Sequence, residues 1–262
     1  SVLYMPGSRP RALEKARALP ADALILDLED AVAPAEKPRA RDLVGEAVEA
    51  GGYGGRRLIA RINALDTEWG LEDLERLCAA GPDAILLPKV EKPAHVLRLA
   101  DLMEAQGAPS RTRIWAMMET PRAMLNAPAV AAAHPRLEGF VMGTNDLAKD
   151  LGAAHTPDRV PLIASLGLCL LAARAEGLIC VDGVYNAFQD QEGLRAACVQ
   201  GRDMGFDGKT LIHPDQLAVT NEVFAPSPDE IALAEAQVEA FESATARGEG
   251  VAVLNGRIIE NL

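Results

Sequence analysis

A chain of 262 residues with 26 Lys and Arg against 38 Asp and Glu carries a formal charge of −12. That balance repels nucleic acid, and no run of Lys and Arg offers a local basic patch. At 49% apolar and 24% charged residues the composition is that of a globular enzyme, and the longest apolar stretch, Pro161 to Ala173, is too short for the ~18–20 residues of a membrane span.

Short apolar runs alternate with helix-like segments. The first run is VLYMPG, Val2 to Gly7, and PRALEKARAL follows with Leu13, Ala16 and Leu19 at helical spacing. The second, ALILDLED, Ala23 to Asp30, starts as a buried strand and then places Asp27, Glu29 and Asp30 within four residues. Two carboxylates about 4 Å apart repel by roughly 4 kcal/mol at an effective dielectric near 20, so something must offset them. RLIARIN, Arg57 to Asn63, is third, followed by a helix with Thr67 as N-cap and Gly81 as stop. AILLPKV, Ala84 to Val90, and RIWAMMET, Arg113 to Thr120, are each followed by a helix with Pro in its first turn. GFVMGTND, Gly139 to Asp146, precedes VPLIASLGLCLLAARAEG, a helix apolar almost all round and therefore expected to be well covered. LICVDGVY, Leu178 to Tyr185, and GKTLIHP, Gly208 to Pro214, complete eight runs. Beyond them lie a helix capped by Ser227 and VAVLNGRIIENL, a hairpin turning at Asn255-Gly256.

Continuous apolar runs fit parallel strands buried on both faces, and eight strand–helix alternations in about 220 residues predict an α/β fold, a (β/α)8 TIM barrel. An open doubly wound sheet is the alternative, but MPGSRPRA after the first strand lacks its GxGxxG loop. Residues 1–224 are read as the barrel. Residues 225–262 are read as an extension packed on the barrel or on a neighbouring subunit, without forming an independent domain. Cys78, Cys169, Cys180 and Cys198 form no CxxC pair and are expected to be free buried thiols. With no basic-then-apolar leader pattern, a cytoplasmic protein is expected.

Chemistry in this fold sits at the C-terminal ends of the strands. There the chain places Glu29 and Asp30, Arg61 and Asn63, Lys89, Glu119, Asn145 and Asp146, Asp182, and His213. Single members have plain explanations, Asp146 as a helix cap above all. As a set they make an acidic rim that suits a hard cation, Mg²⁺ first and Mn²⁺ second. Of the four histidines only His213 stands at a strand end, which disfavours zinc.

SVLYMPGSRPRALEKA, ALILDLEDAV, RIN, LPKVE, MMETPRA, GTNDLAKDLG and GFDGKTLIHPDQ, in this order, resemble the citrate lyase beta subunit and malyl-CoA lyase family, CoA-ester lyases of the pyruvate-aldolase-like barrel superfamily. The resemblance implies a Mg²⁺-dependent carbon–carbon lyase that cleaves a 3-hydroxyacyl-CoA to a short acyl-CoA and an oxo acid. By the same resemblance Glu119 and Asp146 bind the metal, with Glu119 facing the substrate, and Arg61 holds the substrate and its developing enolate. Glu29 and Asp30 surround the metal, either serving as the base. Arg9, Lys15 and Lys37 either meet the CoA phosphates or form ordinary charged helix faces. No His precedes His95, which argues against the histidine-base aldolases of the superfamily, and the acidic cluster argues against a Schiff base at Lys89. A malyl-CoA-type thioesterase, and a complex subunit acting only on an acyl-carrier-protein thioester, are the alternatives. A homo-oligomer, a trimer or a multiple of one, is implied as well.

Overall fold

The computed structural model describes residues 1–259. Its eight parallel strands are β1 (Val2–Pro6), β2 (Ala23–Asp27), β3 (Arg57–Arg61), β4 (Ala84–Leu87), β5 (Arg113–Met118), β6 (Leu137–Met142), β7 (Ile179–Asp182) and β8 (Gly208–Leu211). They pair in chain order, and β8 returns to β1 to close the barrel. The crossovers are α1 (Pro10–Ala16), α2 (Lys37–Ala50), α3 (Gly70–Ala80), α4 (Pro93–Ala105), α5 (Pro121–Ala131), α6 (Thr144–Leu151) with α7 (Ile163–Ala175), and α8 (Gln191–Met204), while α9 (Leu217–Phe224) follows β8. The chain is the expected (β/α)8 TIM barrel.

Side chains of a strand alternate between the lumen and the helix layer. Val2, Ala23, Ile25, Ile59, Ala84, Leu86, Trp115, Met117, Val141 and Val181 fill the lumen as one apolar cluster. The intervening residues, such as Leu24, Leu26, Ile85, Phe140 and Cys180, pack under the helices. This two-layer filling is why the runs read as unbroken apolar sequence.

The strands stop earlier than the runs suggest. Strand β2 ends at Asp27, so Glu29 and Asp30 occupy the turn beyond it. Likewise Asn145 and Asp146 belong to the first turn of α6, which is capped by Gly143 rather than by Asp146. Thr67 is not the N-cap of α3, which begins at Gly70 with Trp69 before it; a Cβ at Gly70 would lie 2.2 Å from the Ala64 carbonyl oxygen, so only glycine fits there. Its hydroxyl instead accepts the Gly70 amide, and Gly81 is the left-handed stop expected. Helix α7 is less covered than expected, with Leu171 71% and Leu168 45% exposed on its outer face. All four cysteines are buried and free. No helix among the described residues is long and apolar enough to cross a membrane.

From Ala225 the chain forms a second compact unit of α10 (Pro228–Ala246) and an antiparallel hairpin, β9 (Ala252–Leu254) with β10 (Arg257–Ile259). Ser227 and Glu230 form a capping box at the start of α10. Asn255 and Gly256 both take positive φ, 50° and 75°, as the Asn-Gly turn requires. The last three residues of the expected hairpin segment lie outside the described residues.

Candidate active site

The lumen series continues into charge at the C-terminal end of the barrel. Ile25 is followed two residues on by Asp27, Ile59 by Arg61 and Met117 by Glu119, so the alternation that buries the apolar residues aims these groups into the mouth. They line a cavity of ≈ 300 Å³ together with Tyr4, Asp30, Thr144, Asn145 and Asp146.

Arg61 is the buried centre of one half of the site. Its Nε and Nη2 donate to the two oxygens of Asp27, each at 2.6 Å, a forked pair that fixes the guanidinium plane. The same carboxylate accepts the amides of Glu29 at 2.9 Å and Ala31 at 3.0 Å, which folds the turn after β2 around it. Asp27 is therefore fully engaged in structure. Nη1 of Arg61 faces Asp30 at 3.2 Å and Glu29 at 2.8 Å, and the Tyr4 ring lies 5.0 Å from the guanidinium carbon. The carboxylates hold the guanidinium charged well above its usual range, against the cost of burial. Glu29 Oε2 is an ion-pair neighbour without an aligned donor among the described residues, and burial pushes its carboxyl up to about 7. Asp30 differs: its side chain is 73% exposed and faces the cavity.

Glu119 and Asp146 make the other half. Glu119 is buried, and its Oε1 accepts the Lys89 amide at 2.8 Å. The Lys89 ammonium sits between the two carboxylates, bonded to Asp146 and 3.5 Å from Glu119 Oε1. Lys89 takes φ +53°, a left-handed conformation that costs a Lys energy and turns its amide and its ammonium toward the same pair. Its loop is tied down by Glu91, which accepts the Thr120 hydroxyl at 2.9 Å. Gly143 opens room for Glu119, since a Cβ there would stand 2.4 Å from the Glu119 Cβ. Burial raises the Glu119 pKa, with Lys89 as the main opposing charge.

Among the described residues no three His, Cys, Asp or Glu side chains converge as a closed metal cage. The donor set is two carboxylates that share one cation, the Lys89 ammonium, beside an open cavity. That arrangement fits a hard divalent cation, which accepts two carboxylates and fills its remaining positions with other oxygens.

Several residues considered for the rim do not line the cavity. Lys37, considered for CoA phosphates, is buried and gives its donors to Leu28 O, Glu29 O and Asn63 Oδ1. Asn63 is correspondingly locked under the turn by Asp73. Asp182 has the wrong parity for the lumen: it lies against Gly201 of α8 and pairs with Lys209 on β8 and with Arg159, which precedes α7. His213 stacks on Phe188 at 4.7 Å and caps the turn after β8. Arg9 and Lys15 are exposed, before and on α1, and do not line the cavity. The contacts missed from sequence are the Arg61 fork on Asp27 and the cationic bridge by Lys89. The two-residue step from Ile25 to Asp27 was the available signal for the first.

Residues 1–214 match the family model described as HpcH/HpaI aldolase/citrate lyase. The (3S)-malyl-CoA thioesterase of Cereibacter sphaeroides strain KD131 is 61% identical over 262 residues, 100% of this chain and 90% of that protein. Citrate lyase subunit beta of Escherichia coli strain K12 is 34% identical over 265 residues, 99% of this chain and 88% of that protein. The structure of protein CitE from Mycobacterium tuberculosis in complex with magnesium, acetoacetate and coenzyme A matches with a TM-score of 0.82 and 32% identity, over 99% of this chain and 92% of that one.

Proposed function

The chain belongs to the HpcH/HpaI aldolase/citrate lyase family, and from that premise we propose that it is a thioesterase. Its substrate would be a short 3-hydroxyacyl-CoA bearing a second carboxylate, of the malyl-CoA type, and its products the free hydroxy acid and CoA. The observation that carries hydrolysis over cleavage is the 61% identity, along the whole chain, to a (3S)-malyl-CoA thioesterase.

Glu119 and Asp146 would hold Mg²⁺, or Mn²⁺, with the Lys89 ammonium giving way. When bound, the ion supplies a fixed double positive charge that attracts the carboxylate and hydroxyl oxygens of the substrate. Arg61, immobilised by Asp27, presents positive charge to the thioester oxygen as it becomes an oxyanion, without reorganising. Asp30 would take a proton from the attacking water, a role supported by its lining the cavity, which Glu29 does not. The water oxygen bonds to the acyl carbon, the C–S bond breaks, and the proton held by Asp30 passes to the departing thiolate. Glu29 Oε2 lies 2.8 Å from Nη1 of Arg61, on the buried side of the guanidinium.

Carbon–carbon cleavage is the second reading, supported by the 34% identity to a citrate lyase subunit beta. It uses the same groups, with the proton coming from the substrate hydroxyl instead of water. The family resemblance supports a homo-oligomer, a trimer or a multiple of one, which light scattering measures.

Turnover of malyl-, citryl-, methylmalyl- and citramalyl-CoA, with EDTA and then with added Mg²⁺, tests the site. Glu119→Gln and Asp146→Asn are each expected to lower kcat/KM by about 10²–10³-fold and to weaken Mn²⁺ binding measured by calorimetry. Full activity in both variants would remove the metal site from the proposal.

A further inference from the structure

Lys37 is the first residue of α2, only 6% exposed, and lies beneath the turn that carries Glu29 and Asp30. Its three N–H donors are spent on Leu28 O at 2.9 Å, Glu29 O at 2.8 Å and Asn63 Oδ1 at 2.6 Å. The Trp69 ring covers it, with its centroid 5.0 Å from Nζ. Helix formation does not explain this residue. A cation at a helix N-terminus opposes the helix dipole, and a buried ammonium is costly.

What the ammonium grips is the backbone on either side of Glu29. The peptide joining Leu28 to Glu29 is held by its carbonyl, to Lys37 and to Asn63 Nδ2 at 3.0 Å, and by its amide, to Asp27 at 2.9 Å. The peptide joining Glu29 to Asp30 is held through its carbonyl by Lys37. Asn63 is itself immobilised, donating its side chain at 2.6 Å and its amide at 3.0 Å to Asp73, which Arg41 Nε pairs at 2.8 Å. Two consecutive peptides are thus clamped, and the second bears the Asp30 Cα.

We propose that Lys37 is a positioning residue: by clamping the Leu28 and Glu29 carbonyls it fixes the direction in which Asp30 enters the cavity. The inference rests on Asp30 being the proton acceptor named above. Lys37 never meets the substrate, so it acts on the chemical step and leaves substrate and metal binding nearly unchanged. A displacement of an acidic group by about 1 Å costs on the order of 10²-fold in rate.

The test is a double-mutant cycle on the full chain, with malyl-CoA and Mg²⁺, using Lys37→Met, Asp30→Asn and the pair. Lys37→Met should lower kcat by about 10–100-fold, with KM and the Mn²⁺ dissociation constant within about twofold of the parent. In the Asp30→Asn background the same substitution should cost less than about twofold, because the group it aims is gone. An equal loss in both backgrounds, or a loss that follows KM, would mean a merely structural role and overturn the inference. Unchanged kcat in Lys37→Met with an impaired Asp30→Asn would overturn it alone. Unchanged kcat in Asp30→Asn would overturn the acceptor reading and this inference with it. If Lys37→Met does not fold by circular dichroism, Trp69→Leu serves in its place. It removes the cover and leaves the three bonds, with a kcat loss of about two- to fivefold expected and no loss counting against the inference.

Discussion

Asp27 accepts four hydrogen bonds, two from Arg61 and two from the backbone of its own turn. One carboxylate therefore sets both the guanidinium plane and the path of the chain that bears Glu29 and Asp30. A lysine at position 61 keeps the charge and loses the fork, so Arg61→Lys is expected to lower kcat/KM by about 10²–10³-fold, read by steady-state kinetics. Glu29 tests the electrostatics of the same cluster. Burial, opposed by Arg61 and helped by repulsion from Asp30, Glu119 and Asp27, moves its carboxyl from 4.5 to about 7. The fold thus favours the protonated form, and the stability Glu29 contributes is full below 4.5 and lost as pH rises through about 7. In metal-free protein Glu29→Gln should leave Tm nearly unchanged at about pH 5 and raise it at about pH 8, the gain being on the order of 1–3 kcal/mol.

At the scale of elements, strand parity decides which charges reach the cavity. Asp27, Arg61 and Glu119 continue the lumen series, whereas Asp182 continues the outer series of Cys180. The barrel rhythm was legible because each strand and helix announces itself within a few residues. The rim was legible less fully, because apolar-on-both-faces runs hide their parity, and Asp182 looked equivalent to Glu119. Lys37 hides its role for a related reason: on a helix it reads as a solvated cation, and its partners Leu28, Glu29 and Asn63 are supplied by the turn after β2 and the segment just beyond β3. The left-handed Lys89 carries no local signal, since the groups its amide and ammonium bond, Glu119 and Asp146, are distant in sequence. Glycines give an element-level test. In α7 a Cβ at Gly167 would meet open space, while at Gly143 it would strike Glu119 at 2.4 Å. Gly167→Ala should raise stability by about 0.5–1 kcal/mol with unchanged kcat, and Gly143→Ala should lower kcat/KM by at least about tenfold, measured by urea denaturation and kinetics side by side.

Across the whole molecule, the charge that serves function lies at the barrel mouth, while a second buried cluster serves the wall. Asp182 is fully buried, with Lys209 Nζ at 2.8 Å and Arg159 Nη1 at 2.7 Å, and these cations hold its carboxyl below the usual range against the cost of burial. Its contribution is present above pH 3.8 and is lost as pH falls through the depressed folded value. Asp182→Asn leaves the buried Lys209 without its counter-charge and is expected to cost about 3–5 kcal/mol in urea denaturation at neutral pH. Barrel closure, the acidic rim and family membership all accommodate both hydrolysis and carbon–carbon cleavage, so the nature of the products decides between them. The direct measurement is a mass balance on (3S)-malyl-CoA incubated with the purified chain and Mg²⁺, following free CoA, malate, acetyl-CoA and glyoxylate in one reaction. Free CoA and malate in equal amounts with no acetyl-CoA are expected; acetyl-CoA and glyoxylate accumulating in place of free thiol would overturn hydrolysis.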